Sequence, residues 1–97
     1  MAKEKIVKVK TKAVVFSFHA PDATQVSVAG DFNNWDFNKH PMKKDKEGKW
    51  KKTIKLSPGD YGYKYYVDGD WCNDPDNNEV GGNSFGTYNN IVKVTES

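Results

Sequence analysis

YGYKYYVDGDW, residues 61–71, decides the fold. Tyr61, Tyr63, Tyr65 and Val67 fall on one side of an alternating run, with Lys64 and Tyr66 on the other. A period of two marks a strand with one buried face. Asp68-Gly69 follows at once, and that dipeptide supplies the positive φ angles of a two-residue hairpin turn. The stretch therefore predicts a strand that buries tyrosines, then folds back on itself with Trp71 on the returning arm.

The same alternation recurs along the chain. AVVFSF (13–18) places Val14, Phe16 and Phe18 on one face, and QVSVAG (25–30) turns Val26 and Val28 inward before stopping at Gly30. WKKTIKL (50–56) sets Trp50, Ile54 and Leu56 against Lys51, Thr53 and Lys55, so Trp50 is expected in the core. NIVKV (90–94) predicts a last strand, and KIVKVKTK (5–12) an edge strand whose lysines discourage edge-to-edge aggregation. Turn signals separate the runs: APDA (20–23), KEGK (46–49) with Gly48 at positive φ, and SPGD (57–60) as a type II turn. No segment sustains a helical apolar spacing. Short strands at a spacing of about 10 residues predict an all-β protein built as one antiparallel β-sandwich. A chain of 97 residues suits one domain, 1–97, with its core over about 13–95.

Composition narrows the function. Hydrophobic residues make up only 36% but aromatic residues 13%, so tyrosine, phenylalanine and tryptophan do much of the burying. No apolar run approaches the roughly 18 residues of a membrane span, and MAKEKIVKVK lacks the apolar stretch of a secretory signal. Cys72 stands alone, which suits a reducing compartment, and a cytoplasmic location is expected. All 15 basic residues are lysine. Without arginine, bidentate reading of phosphate or guanine is disfavoured. Eight of those lysines lie between residues 39 and 55, whereas Asp68, Asp70, Asp74, Asp76 and Glu79 surround Trp71 without one.

Catalytic and metal-binding patterns are weak. His19 ends a strand, and His40 sits in a lysine-rich loop without a visible partner for acid–base work. DPDNNE (74–79) begins like a calcium loop, but Glu79 replaces the glycine of its sixth position and Phe85 the glutamate of its twelfth. A solvated loop with Asx-turns around Pro75 is the expectation, with no metal, no cofactor and no enzymatic activity.

Two tryptophans stand apart. Trp35 lies in GDFNNWDF (30–37) and Trp71 in VDGDWCNDPDNN (67–78), each among asparagines and aspartates. A loop tryptophan can fold back to cap a small core, and that alternative holds for either one alone. Two in similar polar turns favour exposure. An exposed pair of indoles beside amides and a lysine suits a sugar, because one face of a pyranose ring is a patch of C–H groups. Its hydroxyls need both donors and acceptors, which asparagine supplies from one amide, while lysine supplies donors. Lys64 points away from the tyrosine face and is the best-placed lysine.

Taken in order, GDFNNW, the Gly-x-Trp of 48–50, YGYKYYVDGDW with Asp-Pro after it, and GTYNNIVKV resemble family 48 of the carbohydrate-binding modules. These glycogen- and starch-binding modules occur in the β subunits of AMP-activated protein kinase and at the N-termini of branching and debranching enzymes. The resemblance runs from about Val14 to Val94. It implies an immunoglobulin-like β-sandwich that binds α-1,4-linked glucans. It further implies Trp35 and Trp71 as stacking platforms and Lys64 as a donor to sugar hydroxyls. Asn89 and Thr87 are implied as polar contacts, and Phe85 stands where the kinase-type modules carry a leucine that enters the ring of a cyclic glucan.

Two alternatives accompany that expectation. A nucleic-acid-binding β domain would draw on the lysines of KHPMKKDKEGKWKK and on base-stacking aromatics, but the lysine run and the Trp71 loop are separate in sequence. A module that docks a protein partner, such as an enzyme or kinase subunit, is compatible with glucan binding because a sandwich has two faces. The expected partner is an α-glucan, with no nucleic acid and no membrane, and the expected state is a monomer.

Overall fold

The computed structural model describes residues 11–82 and 87–95. Its strands are β1 (Lys12–His19), β2 (Val26–Gly30), β3 (Lys43–Lys44), β4 (Lys49–Leu56), β5 (Gly59–Val67), β6 (Asp70–Cys72), β7 (Val80–Gly82) and β8 (Tyr88–Val94). They form two antiparallel sheets, one ordered β1-β4-β3 and the other β2-β5-β8-β7, with β6 paired to the end of β5. This is the expected immunoglobulin-like β-sandwich. The edge strand expected over 5–12 lies outside the described residues, apart from its last two positions. No helix among the described residues is long and apolar enough to cross a membrane.

Alternation builds the core between the sheets. Phe16, Trp50, Ile54 and Leu56 from one sheet meet Val26, Val28, Tyr63, Tyr65 and Val94 from the other, all buried. The Trp50 indole N–H donates to the Ala20 carbonyl at 2.8 Å, so this tryptophan is satisfied inside, as its strand position predicts. Phe16 meets Tyr63 edge-on at 5.1 Å, and Phe18 lies 4.9 Å from Tyr65. Such contacts let a chain poor in aliphatics fill its interior.

The turns follow their chemistry with one exception. Gly48 takes φ +84° in the β3–β4 hairpin, and Asp68 and Gly69 take +48° and +92° between β5 and β6. The Asp68 carboxylate also accepts from the backbone N–H groups of Thr24 and Gln25, tying that hairpin to the start of β2. Pro58-Gly59 does not make the expected type II turn. Gly59 takes φ +151° and is already paired with Val94, because the link carries the chain from one sheet to the other and does not fold it back.

The acidic loop after β6 is also more than a solvated turn. Its Asx-turns are present, with the Asp76 N–H donating to the Asp74 carboxylate and the Glu79 N–H to the Asn77 side chain. Beneath them, Asp74 Oδ2 accepts the Tyr63 hydroxyl at 2.7 Å and the Tyr65 hydroxyl at 3.4 Å. Burial above all pushes the ionisation of both phenols far up, so they remain donors. Asn90, 1% exposed, pins the loop from β8. Its Oδ1 accepts from the Asp74 N–H and the Asn73 amide, and its Nδ2 donates to the Asn77 carbonyl. Among the described residues no three metal-ligating side chains converge.

Asn90→Ala removes a buried side chain and all three of these bonds. Each lost bond costs roughly 0.5–1.5 kcal/mol where the partner, as in this loop, is half-buried or exposed. A lowered urea midpoint with unchanged m-value is the expected result, whereas an unaltered midpoint would show that the loop is not held from beneath.

Candidate functional site

Tyrosines enter the core from β5, so Lys64 and Tyr66 must leave it on the opposite face. The β5–β6 hairpin sets Trp71 directly across from Tyr66. Their ring centroids lie 4.7 Å apart, and Trp71 keeps 44% of its surface exposed. This residue does not fold back to cap the core.

Trp35 reaches the same face by a different route. After β2 the chain makes a single 3₁₀ turn, Asp31–Asn33, followed by Asn34 and Trp35 at φ +57° and +60°. Asparagine tolerates that left-handed region, but a tryptophan there carries backbone strain of roughly 1–3 kcal/mol. Specific bonds hold it. The Trp35 N–H donates to the Gly30 carbonyl at 2.9 Å, and the Trp35 indole donates to Asp31 Oδ1 at 2.9 Å. The other Asp31 oxygen accepts the Gly62 N–H of β5 at 2.7 Å. One carboxylate therefore couples the loop tryptophan to the sheet. Half-buried, Trp35 stands 6.1 Å from Trp71 at an interplanar angle of 65°.

Asn33 and His40 brace this loop from below. Asn33, 5% exposed, accepts the Gly30 N–H and donates to the Val28 carbonyl. The same amide nitrogen lies 2.8 Å from His40 Nδ1, which must then accept, leaving the proton of the neutral ring on Nε2. The partner that His40 lacked in the sequence is thus an amide of the tryptophan loop. Gly30 is required here, since a Cβ would meet the Gly62 carbonyl and lie 2.9 Å from Tyr63 Cβ.

Of the residues marked from the sequence, Trp35, Lys64, Trp71, Thr87 and Asn89 lie together on the outer face of the five-stranded sheet. Lys64 Nζ donates to Thr87 Oγ1 at 3.3 Å. Asn89 and Asp31 flank Gly62, where a Cβ would sit 3.3 Å from the Asn89 amide and 3.2 Å from the Asp31 carboxylate. Phe85 lies outside the described residues. Three neighbours of these residues were not marked from the sequence. Tyr66 was signalled by alternation, as the outward neighbour of Lys64. Asp31 and Phe37 had no such signal, because an irregular loop gives no period; the Phe37 ring stacks on Tyr66 at 4.1 Å. The lysines of β3 and β4 occupy the other sheet entirely.

Residues 12–97 match the family described as the glycogen recognition site of AMP-activated protein kinase. The chain belongs to this family. Over 59 residues, 60% of its length, the module is 49% identical to the 1,4-alpha-glucan branching enzyme GlgB of Prochlorococcus marinus (strain NATL2A), covering 8% of that enzyme. Over 73 residues, 75% of its length, it is 33% identical to the 5'-AMP-activated protein kinase subunit beta-1 of Rattus norvegicus, covering 26% of that subunit. Its fold matches 14% of a maltogenic amylase from S. marinus with a TM-score of 0.75 at 24% identity, over 91% of the module. The module therefore spans only a small part of each of these relatives.

Two outcomes follow from the loop geometry. Asp31→Ala is expected to free the Trp35 indole, read as faster solvent exchange of its N–H by NMR while the Trp50 indole stays protected. Burial, with help from Lys52 and Lys39, lowers the His40 pKa below 6.5. The unfolded chain then takes up that proton first, so stability is fully present above pH 6.5 and declines as pH falls towards the lowered folded value. Melting temperature against pH should show this slope in the native module and lose it in His40→Gln.

Proposed function

We propose that this module binds α-1,4-linked glucans through its tryptophan face and carries no catalytic activity of its own. The observation that carries the proposal is the angled Trp35–Trp71 pair with Lys64, Thr87 and Asn89 beside it. Indoles set at an angle suit a chain that curves, because successive pyranose rings present their C–H faces in different directions. The lysine donates to hydroxyls, and the Asn89 amide both donates and accepts. Phe85 belongs to this proposal as a further contact beside Thr87. Membership of a glycogen-recognition family supports the same substrate class.

The remainder of the proposal follows from the same layout. One β-sandwich over about residues 13–95 carries the function, and it needs neither cofactor nor a second copy. The lysine cluster of β3 and β4 lies on one sheet and the Trp35–Trp71 pair on the other, with Lys64 beside the pair. That separation disfavours a nucleic-acid groove, which interleaves many cations with aromatics. The lysine-bearing sheet is left open to a protein partner while the opposite face holds glucan. A lone Cys72 supports a cytoplasmic setting.

Calorimetric titration with maltoheptaose tests the proposal. Trp71→Ala should weaken binding about tenfold or more, the loss of one stacking ring worth roughly 1–2 kcal/mol. Lys64→Ala should weaken it several-fold. Affinity should barely change between low and high salt, since no counterions are released. Wild-type protein that binds no maltoheptaose would overturn the proposal, and steeply salt-dependent binding of single-stranded nucleic acid would replace it.

A further inference from the structure

The tryptophan face does not end at Trp71. Phe37 lies 6.2 Å beyond it, stacked on Tyr66 with ring planes within 23° of parallel. It follows Asp36 in a polar turn, yet 38% of its surface is exposed. A phenylalanine left in water gains from being covered, and nothing within the described residues completes that cover. The turn that carries it is fixed, because the Asp36 carboxylate accepts the Asn38 N–H at 2.9 Å.

Beside Phe37 and Tyr66 opens a hollow of about 360 Å³. It falls within the size range of small-ligand sites. Buried Met42 and Trp50 form part of its wall, while Gln25, Ser27 and Asn38 bring amide and hydroxyl groups to it. Aromatic rings, apolar side chains and neutral donors and acceptors lining one hollow repeat the chemistry of the tryptophan face. Asp68 also lines the hollow, but its carboxylate is committed to the Thr24 and Gln25 backbone N–H groups, so no unpaired charge invites a cation. Phe37 and Tyr66 belong to the hollow and to the aromatic surface alike, so a ligand can cross from one to the other.

We propose that Phe37 and this hollow form a further subsite for the same linear glucan, taking glucose units that run on past Trp71. This rests on the tryptophan face being a glucan site. Its consequence is chain-length selectivity: a long maltooligosaccharide engages both regions, whereas a short one is held by the tryptophans alone. Phe37 sets the difference by offering its ring to the added unit.

Titration with maltotriose and maltoheptaose tests this, using wild type, Phe37→Ala and Phe37→Leu. Leucine keeps an apolar cover on Tyr66 but removes the flat ring. The expected result is a three- to tenfold fall in maltoheptaose affinity in both variants, about 0.7–1.4 kcal/mol, with maltotriose affinity unchanged. An equal loss for both sugars would make Phe37 a prop for the tryptophans and would overturn the subsite. Unchanged maltoheptaose affinity in both variants would overturn it too. Wild-type protein binding neither sugar would instead remove the glucan reading on which the subsite rests.

Discussion

The two-fold period of β5 is the constraint on which the molecule depends. Tyr63 and Tyr65 must point into the sandwich, so Lys64 and Tyr66 must point out of it. A slip of one residue in the pairing with β2 would send the tyrosines to water and the lysine into the core. Burying one face of this strand therefore positions the outer face, Lys64 and Tyr66 included, without any further device. The hairpin at Asp68-Gly69 extends the same logic, because its register places Trp71 across from Tyr66.

What β5 cannot supply is the second tryptophan, and here the chain uses strain. Trp35 occupies a backbone conformation that its side chain disfavours, held by hydrogen bonds to Gly30 and Asp31. Asp31 is bonded at the same time to β5, so loop and strand are tied as one unit. Fixing an aromatic ring before a ligand arrives reduces the conformational entropy lost on binding. The buried amide of Asn33, joined to His40, serves the same end from beneath.

Strands and core were legible because each depends on a local pattern. Alternation located the buried faces of β1, β2, β4 and β5, and Asp-Gly located a hairpin. Trp50 was separated from Trp35 and Trp71 by its neighbours alone. The rest depends on contacts distant in sequence. Asp31 to Gly62, Asn33 to His40 and Asp74 to Tyr63 join segments whose side chains carry no mark of their partners. For that reason the acidic loop read as merely solvated and His40 as unpartnered. The Ser57–Pro58 link was misjudged for a similar cause: Pro-Gly marks a turn, but whether the chain returns to the same sheet or crosses to the other is decided by the core.

The three tryptophans allow one direct test of the account. Each indole N–H gives its own NMR resonance, and the three occupy different settings: Trp35 and Trp71 on the outer face, Trp50 inside. Titration of labelled protein with maltoheptaose should shift the Trp35 and Trp71 indoles together with the backbone resonances of Lys64 and Asn89, while the β3–β4 lysines stay still. Shifts centred on β3 and β4, with the two outer indoles unmoved, would contradict it.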